Sequence, residues 1–115
     1  MAFYRASIGG GGGALPIDLE NPDKVSTKTL SANASTSITY DQKPRWICVL
    51  RTVSSVGYLY VFDCENESGY YWKSASSYAS GSITFANVIT AISDTGFTYK
   101  SNSNTTSYNT FLIYY

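Results

Sequence analysis

From Val25 to Tyr115, apolar and β-branched residues alternate with polar ones in short runs, and each run stops at a cluster of turn-forming residues. Period-two alternation puts one side of each run on a half-buried sheet face. Val25, Thr27 and Thr29 alternate with polar neighbours, and Ser31 to Ser37 reads as a polar turn region. Ser37 to Tyr40 is a short strand stopped by Asp41-Gln-Lys-Pro44. Arg45 to Thr52 is the strongest strand pattern in the chain; Val53 to Gly57 turns, and Tyr58 to Cys64 returns. Asp63 to Gly69 is a polar turn, Tyr70 to Lys73 a strand, and Ser74 to Gly81 a loop of small residues. Ser82 to Phe85 and Asn87 to Ser93 are expected as strands, with a bulge near Ala86-Asn87. Asp94-Thr-Gly96 turns into Phe97 to Lys100, Ser101 to Ser107 loops, and Tyr108 to Tyr115 is the last strand. This rhythm predicts an all-β chain: an antiparallel β-sandwich, jelly-roll-like, of about seven to nine short strands.

The register of the strongest hairpin follows from its turn. A turn centred on Ser55 sets Thr52 opposite Tyr58, Leu50 opposite Tyr60, Cys48 opposite Phe62 and Trp46 opposite Cys64, all on one face. Ile47, Val49, Leu59 and Val61 then occupy the other face. Both faces are apolar in the middle, so the hairpin is expected to be central: one face in the sandwich core, the other under a loop or a neighbouring subunit.

Residues 1–24 break the pattern. Five consecutive glycines, Gly9 to Gly13, precede the proline-punctuated stretch Ala14 to Asp23. Glycine loses the most backbone freedom on ordering, so 1–24 reads as a flexible Gly-rich segment joined to a domain spanning 25–115.

Composition sharpens the β reading and narrows the function. The chain has 11 Tyr, 5 Phe and 2 Trp, a set that suits a half-buried pleat. Charged residues make up 14% and the formal net charge is zero, which removes the electrostatic attraction that nucleic acids and anionic membranes require. No apolar run is long enough for a membrane span or a secretory signal, so synthesis and folding in a cytoplasm are expected. The sequons at Asn33, Asn66 and Asn104 are expected by chance in so Ser/Thr/Asn-rich a chain.

There is no histidine, which removes the commonest general base, the usual Ser and Cys triads and most zinc sites. A catalytic role is therefore not expected, nor is a metal or cofactor. Asp63-x-Glu65-x-Glu67 has carboxylates at alternate positions, but its glycine is at 69 and position twelve of the loop is Ser74, so the EF-hand pattern fails and a solvated turn is expected. An enzyme built on these carboxylates ranks lowest. The glycine run contains a formal G-x-G-x-x-A, at Gly9, Gly11 and Ala14, without the strand–helix context of a dinucleotide site. Cys48 and Cys64, placed on one face two residue pairs apart, are expected as buried free thiols.

One cluster has the makings of a site. Tyr70, Tyr71 and Trp72, with Tyr78 nearby, form a dense aromatic patch beside loops. Flat rings bind sugar faces and anchor interfaces; alternation puts Tyr70 and Trp72 on one strand face and Tyr71 on the other.

The two ends carry a resemblance. Met1-Ala-Phe-Tyr-Arg5 with its glycine run resembles the N-termini of small prophage-encoded structural proteins. Asp94-Thr-Gly-Phe-Thr-Tyr-Lys100, a polar loop and Tyr108-Asn-Thr-Phe-Leu-Ile-Tyr-Tyr115 resemble the terminal hairpin of phage tail-fibre and appendage β-domains. The resemblance implies a virion or tail component, a homo-oligomer with a trimer favoured, contacts with other virion proteins and in some cases binding to a cell-surface glycan. It carries over no functional residue. The alternative reading is a carbohydrate-binding module using Tyr70, Tyr71, Trp72 and Tyr78.

Overall fold

A computed structural model of the chain describes residues 21–53, 56–73, 79–101 and 104–115. The strands are β1 (Lys24–Leu30), β2 (Ser35–Thr39), β3 (Trp46–Val53), β4 (Val56–Asp63), β5 (Ser68–Lys73), β6 (Ala79–Ile83), β7 (Ile89–Thr90), β8 (Gly96–Lys100) and β9 (Ser107–Tyr114), with one helical turn, α1 (Phe85–Val88). They form two sheets, one of six strands in the order β1-β9-β3-β4-β5-β6 and one of three in the order β2-β8-β7. All pairings are antiparallel. The protein is an all-β sandwich, as the alternation predicts.

The inner faces of the two sheets meet in an aromatic core. Phe97 and Tyr99 of the small sheet set their rings edge-on against Phe111 of the large sheet, at centroid distances of 6.2 and 5.0 Å. Along β4, alternation stacks Tyr58, Tyr60 and Phe62 into a ladder with spacings of 6.1 and 6.2 Å. Ile47, Val49, Phe62, Phe111 and Ile113 are fully buried there. Edge-to-face rings add to what their buried area contributes, so β8, β9 and β4 are the staples of the sandwich. At the other end of the small sheet, the Tyr40 hydroxyl lies 2.8 Å from the Ser93 carbonyl and 3.0 Å from that of Gly96, closing the corner where β8 begins.

The β3–β4 hairpin departs from the expected register by one residue. Val53 pairs with Val56, so the connection is the two residues 54–55, which lie outside the described residues. Thr52 pairs with Gly57, Leu50 with Leu59, Cys48 with Val61 and Trp46 with Asp63. A two-residue connection matches strand twist better than an odd one, and the slip exchanges the partners on each face. Cys48 therefore joins Leu59 and Val61 on the outer face, while Cys64 belongs to the inner core. Both thiols are buried and free.

Two further differences occur in the 74–93 region. Gly81 belongs to strand β6, paired with Tyr71, where a loop is expected. Phe85 to Val88 is a helical turn where a bulged strand is expected, and it buries Phe85 and Val88. Those two positions and Ile89 are spaced i, i+3, i+4, the period of a helix face rather than of a strand. Of residues 1–24, the segment expected to be flexible, 1–20 lie outside the described residues, as does Tyr78, and Lys24 opens strand β1, paired with Ile113.

Candidate binding face

The six-stranded sheet presents its second face away from the small sheet, and its side chains can be read in rows across the strands. One row runs Val25, Leu112, Cys48, Val61, Tyr70, Ser82; the next runs Thr27, Thr110, Leu50, Leu59, Trp72. Tyr114 and Trp46 stand in the row before them, Tyr108 and Thr52 in the row after. The middle of this face is apolar: Cys48, Leu59, Val61, Trp72, Leu112 and Tyr114 form a second buried cluster, with Trp46 and Leu50 partly buried against it. Around it stand exposed side chains, namely Val25 at 54%, Tyr70 at 46% and Tyr108 at 62% of full exposure.

The aromatic patch singled out in the sequence is divided by the pleat. Tyr70 is exposed on the outer face, and Trp72 is buried on that same face in the apolar cluster. Tyr71 points to the inner core, half-buried, its ring crossing over Gly81, where an added Cβ would lie 2.9 Å from the ring. Tyr78 lies outside the described residues. The alternation of Tyr70, Tyr71 and Trp72 was legible in the sequence. Tyr108 and Val25 were not legible as site residues, because only strand order brings β1 and β9 onto the same sheet as β5.

Two carboxylates of the 63–67 turn, Asp63 and Glu65, have structural partners. Asp63 Oδ1 accepts the backbone N–H groups of Glu65 (3.0 Å) and Asn66 (3.1 Å), and Oδ2 accepts the Asn66 amide at 2.9 Å. Arg45 pairs with Asp63 and, at 3.2 Å, with Glu65, while its guanidinium lies 4.4 Å over the Trp46 ring. Burial pushes the Asp63 carboxyl up, but the hydrogen bonds from Asn66, Arg45 and Glu65 outweigh it and hold it below its ordinary value. Such a carboxylate is spent on fixing a turn. Beside it, Lys43, Pro44, Arg45, Cys64, Glu65 and Tyr115 line an open depression of about 280 Å³. Among the described residues, no group of three or more metal-ligating side chains comes together.

The inner face carries one polar row that the sequence reading missed. Lys28, Asn109, Arg51, Tyr58 and Lys73 lie side by side across β1, β9, β3, β4 and β5. Arg51 is 8% exposed. Its guanidinium sits 4.6 Å from the Tyr58 ring centroid and donates to the Tyr60 hydroxyl at 2.6 Å. Cation–π contact is strongest where water is excluded, so the tyrosines hold the charge in a carboxylate's place. Burial pushes the Tyr60 and Tyr99 hydroxyls up despite the opposing pull of Arg51.

Comparison with protein-family models, with curated proteins and with solved structures found no match. Among the described residues, no helix is long and apolar enough to cross a membrane.

Proposed function

We propose that the protein acts by recognition rather than catalysis, as a phage-like virion or tail structural or receptor-binding domain that uses the outer face of its six-stranded sheet. The observation that carries this reading is the exposure of Val25, Tyr70 and Tyr108 on that one face. Tyrosine offers large, stiff contact area at low entropic cost and is enriched where proteins meet. The β1 edge directs contact toward the face, because Lys24 and Lys28 interrupt it and lysine on an edge strand resists further strand pairing. The partner is a second copy of the chain, in a trimer by preference, or another virion protein.

Light scattering on the full chain during size-exclusion chromatography tests this. A discrete trimer or larger ring is expected, and the double variant Tyr70→Ser/Tyr108→Ser is expected to run as a monomer with unchanged far-ultraviolet circular dichroism. A wild-type monomer at micromolar concentration overturns the assembly reading.

The alternative, a carbohydrate-binding module, draws on the pairing of the exposed Tyr70 ring with the exposed Ser82. A flat apolar ring beside a hydroxyl suits one face of a sugar and its substituents. Glycan-array binding that disappears in Tyr70→Ala would establish it.

A further inference from the structure

We infer that the end of the sandwich where β3 finishes and β9 begins binds a small hydroxycarboxylate, with Arg51 taking the carboxylate and Asn109 accepting from the hydroxyl. The row Lys28, Asn109, Arg51, Tyr58 and Lys73 carries the site. Three of its five members are cations and none is an acid. Arg51 is 8% exposed and Asn109 0%. A guanidinium keeps its charge at any working pH, and a buried charge is costly unless an opposite charge or a full set of hydrogen bonds meets it.

Arg51 has neither among the described residues. Nη1 donates to the Tyr60 hydroxyl, the Tyr99 hydroxyl also meets the guanidinium, and the Tyr58 ring centroid lies 4.6 Å from Cζ. These contacts lower the cost of the charge without neutralising it. Arg51 Nε is buried and donates to no acceptor. Asn109 is its direct partner on β9. The Asn109 amide nitrogen lies 3.1 Å from Ser107 Oγ and 3.4 Å from the Ser107 carbonyl, while its buried Oδ1 accepts nothing. An unmet donor on a cation and an unmet neutral acceptor therefore stand on paired residues, whose Cβ atoms lie about 5 Å apart in such a ladder.

That pair of vacant bonds defines the ligand chemistry. Arg51 Nε–H calls for an anionic oxygen, and Asn109 Oδ1 calls for an O–H donor. A carboxylate alone leaves Oδ1 unmet; a carboxylate with a neighbouring hydroxyl satisfies both atoms. A single bridging water also satisfies both, but it brings no charge. The flanking cations favour the anion. Lys73 Nζ lies 5.8 Å from the centroid of the same Tyr58 ring, and Lys28 pairs with Asn109 on the other side.

The charges of the molecule are segregated in the same sense. Asp63 stands opposite Trp46, five residues back along β3 and about 17 Å from Arg51, and Glu65 and Glu67 follow it in the turn. Asp23 is tied to Ile113 and Tyr115, the Asp41 N–H donates to the Tyr115 hydroxyl, and Asp94 precedes β8. Every carboxylate of the described residues thus lies at the end away from Arg51. Lys28, Arg51, Lys73 and Lys100 lie at the Arg51 end, and the connections there, 31–34, 54–55, 74–78 and 101–106, contain no Asp or Glu. A formal net charge of zero is therefore divided between a cationic end and an anionic end, and the cationic end attracts small anions. The residual exposure of Arg51 and the partial exposure of Tyr58 and Lys73 put the approach at the rim of the sandwich. The site is separate from the outer face that carries Tyr70 and Tyr108, so the inference does not depend on the proposed function.

The test follows the Nε–H resonances of Arg51 and Arg45 in the full chain by proton–nitrogen correlation NMR, at constant ionic strength, during titration with glycolate, acetate and inorganic phosphate. The Arg51 resonance is identified by its nuclear Overhauser contacts with the Tyr58 ring. Arg45 is the internal reference, because its Nε already faces Glu65 at 3.2 Å at the far end. Glycolate is expected to move the Arg51 resonance to saturation and leave that of Arg45 in place. It is expected to bind about fivefold or more tightly than acetate, the worth of one added hydrogen bond. Lys73→Met is expected to weaken glycolate about threefold or more by removing a neighbouring cation. An Arg51 resonance that does not respond, or that moves in step with Arg45, overturns the site and leaves a bridging water as the partner of Nε. Equal binding of glycolate and acetate, or tighter binding of phosphate, overturns the assignment to a hydroxycarboxylate.

Discussion

Gly69 sets the hairpin that presents Tyr70 and Trp72, and replacing it with alanine tests how tightly that hairpin is packed. In the inner-face row, Gly69 stands between Phe62 of β4 and Ile83 of β6. A Cβ there would lie 2.8 Å from Ile83 Cγ2, 2.9 Å from the Ile83 carbonyl oxygen and 3.0 Å from Phe62 Cδ1. None of these atoms gives way easily. The carbonyl is backbone in a paired strand, Cγ2 sits on a β-branched carbon, and the Phe62 ring is fully buried with Phe85 edge-on at 5.9 Å. Overpacking of this kind costs about 1–3 kcal/mol. The loss of glycine's freedom in the unfolded chain returns about 0.4–1 kcal/mol. Gly69→Ala is therefore expected to lose about 1–2 kcal/mol, a fall in Tm of about 3–10 °C for a domain of this size. Urea unfolding followed by Trp46 and Trp72 emission measures the loss directly. In an Ile83→Ala background, which removes Cγ2, the Gly69→Ala penalty should shrink by about 0.5 kcal/mol or more. An alanine variant as stable as the wild type, or an equal penalty in both backgrounds, would refute the close approach of β5 and β6.

Further outcomes follow from the same packing. Burial first, and the Asp63 charge second, push the Cys64 thiol from 9.0 to about 12, and burial pushes the Tyr40 hydroxyl from 10.0 to about 12. The folded state holds these protons where the unfolded chain releases them, so the two groups add no pH dependence below about pH 9 and lower stability between about pH 9 and 12; urea midpoints should show this slope, and Cys64→Ala should flatten it. Tyr40→Phe leaves the Ser93 and Gly96 carbonyls without their hydroxyl partner and should cost about 1 kcal/mol in urea unfolding. Gly96→Ala brings a Cβ to 2.6 Å from the Ile38 carbonyl oxygen, across the β2–β8 pair, and should destabilise by about 2 kcal/mol or more; thermal unfolding without a lowered Tm would contradict the pairing of Thr39 with Gly96. Glu67 adopts φ 51°, so Glu67→Gly should be neutral or stabilising by up to about 1 kcal/mol, whereas Glu67→Val should destabilise.

The strand content of this protein was open to reading because period-two alternation is a local property. Ile47, Val49, Leu59 and Val61 declare a hairpin without reference to any other part of the chain, and the Asp63–Gly69 and Asp94–Gly96 turns declare its neighbours. The one-residue slip in β3–β4 was not legible in the same way. The run Val53-Ser-Ser-Val-Gly57 allows more than one turn centre, and a shift of one residue leaves the alternation of each strand intact while exchanging its partners. The helical turn at Phe85–Val88 was hidden by its brevity, since four residues carry too little pattern to outweigh strand-like neighbours.

The aromatic patch shows the same division between local and tertiary information. Alternation alone put Tyr70 and Trp72 on one face and Tyr71 on the other. Which of these rings meets water depended on what lies against each face: Trp72 is covered, Tyr70 is open, and Tyr71 closes over Gly81. The polar row Lys28, Asn109, Arg51, Tyr58 and Lys73 draws on five strands and exists only because β9 inserts between β1 and β3. The sequence by itself determined the all-β class, the approximate strand positions and the buried character of both hairpin faces, because these follow from side-chain polarity repeated along one strand. Tertiary structure alone decided the hairpin register, the side of the sheet each cysteine occupies, and the gathering of Val25, Tyr70 and Tyr108 on one face. Those depend on strand order and pairing between distant segments, where the free energy of packing, and not local pattern, selects the arrangement.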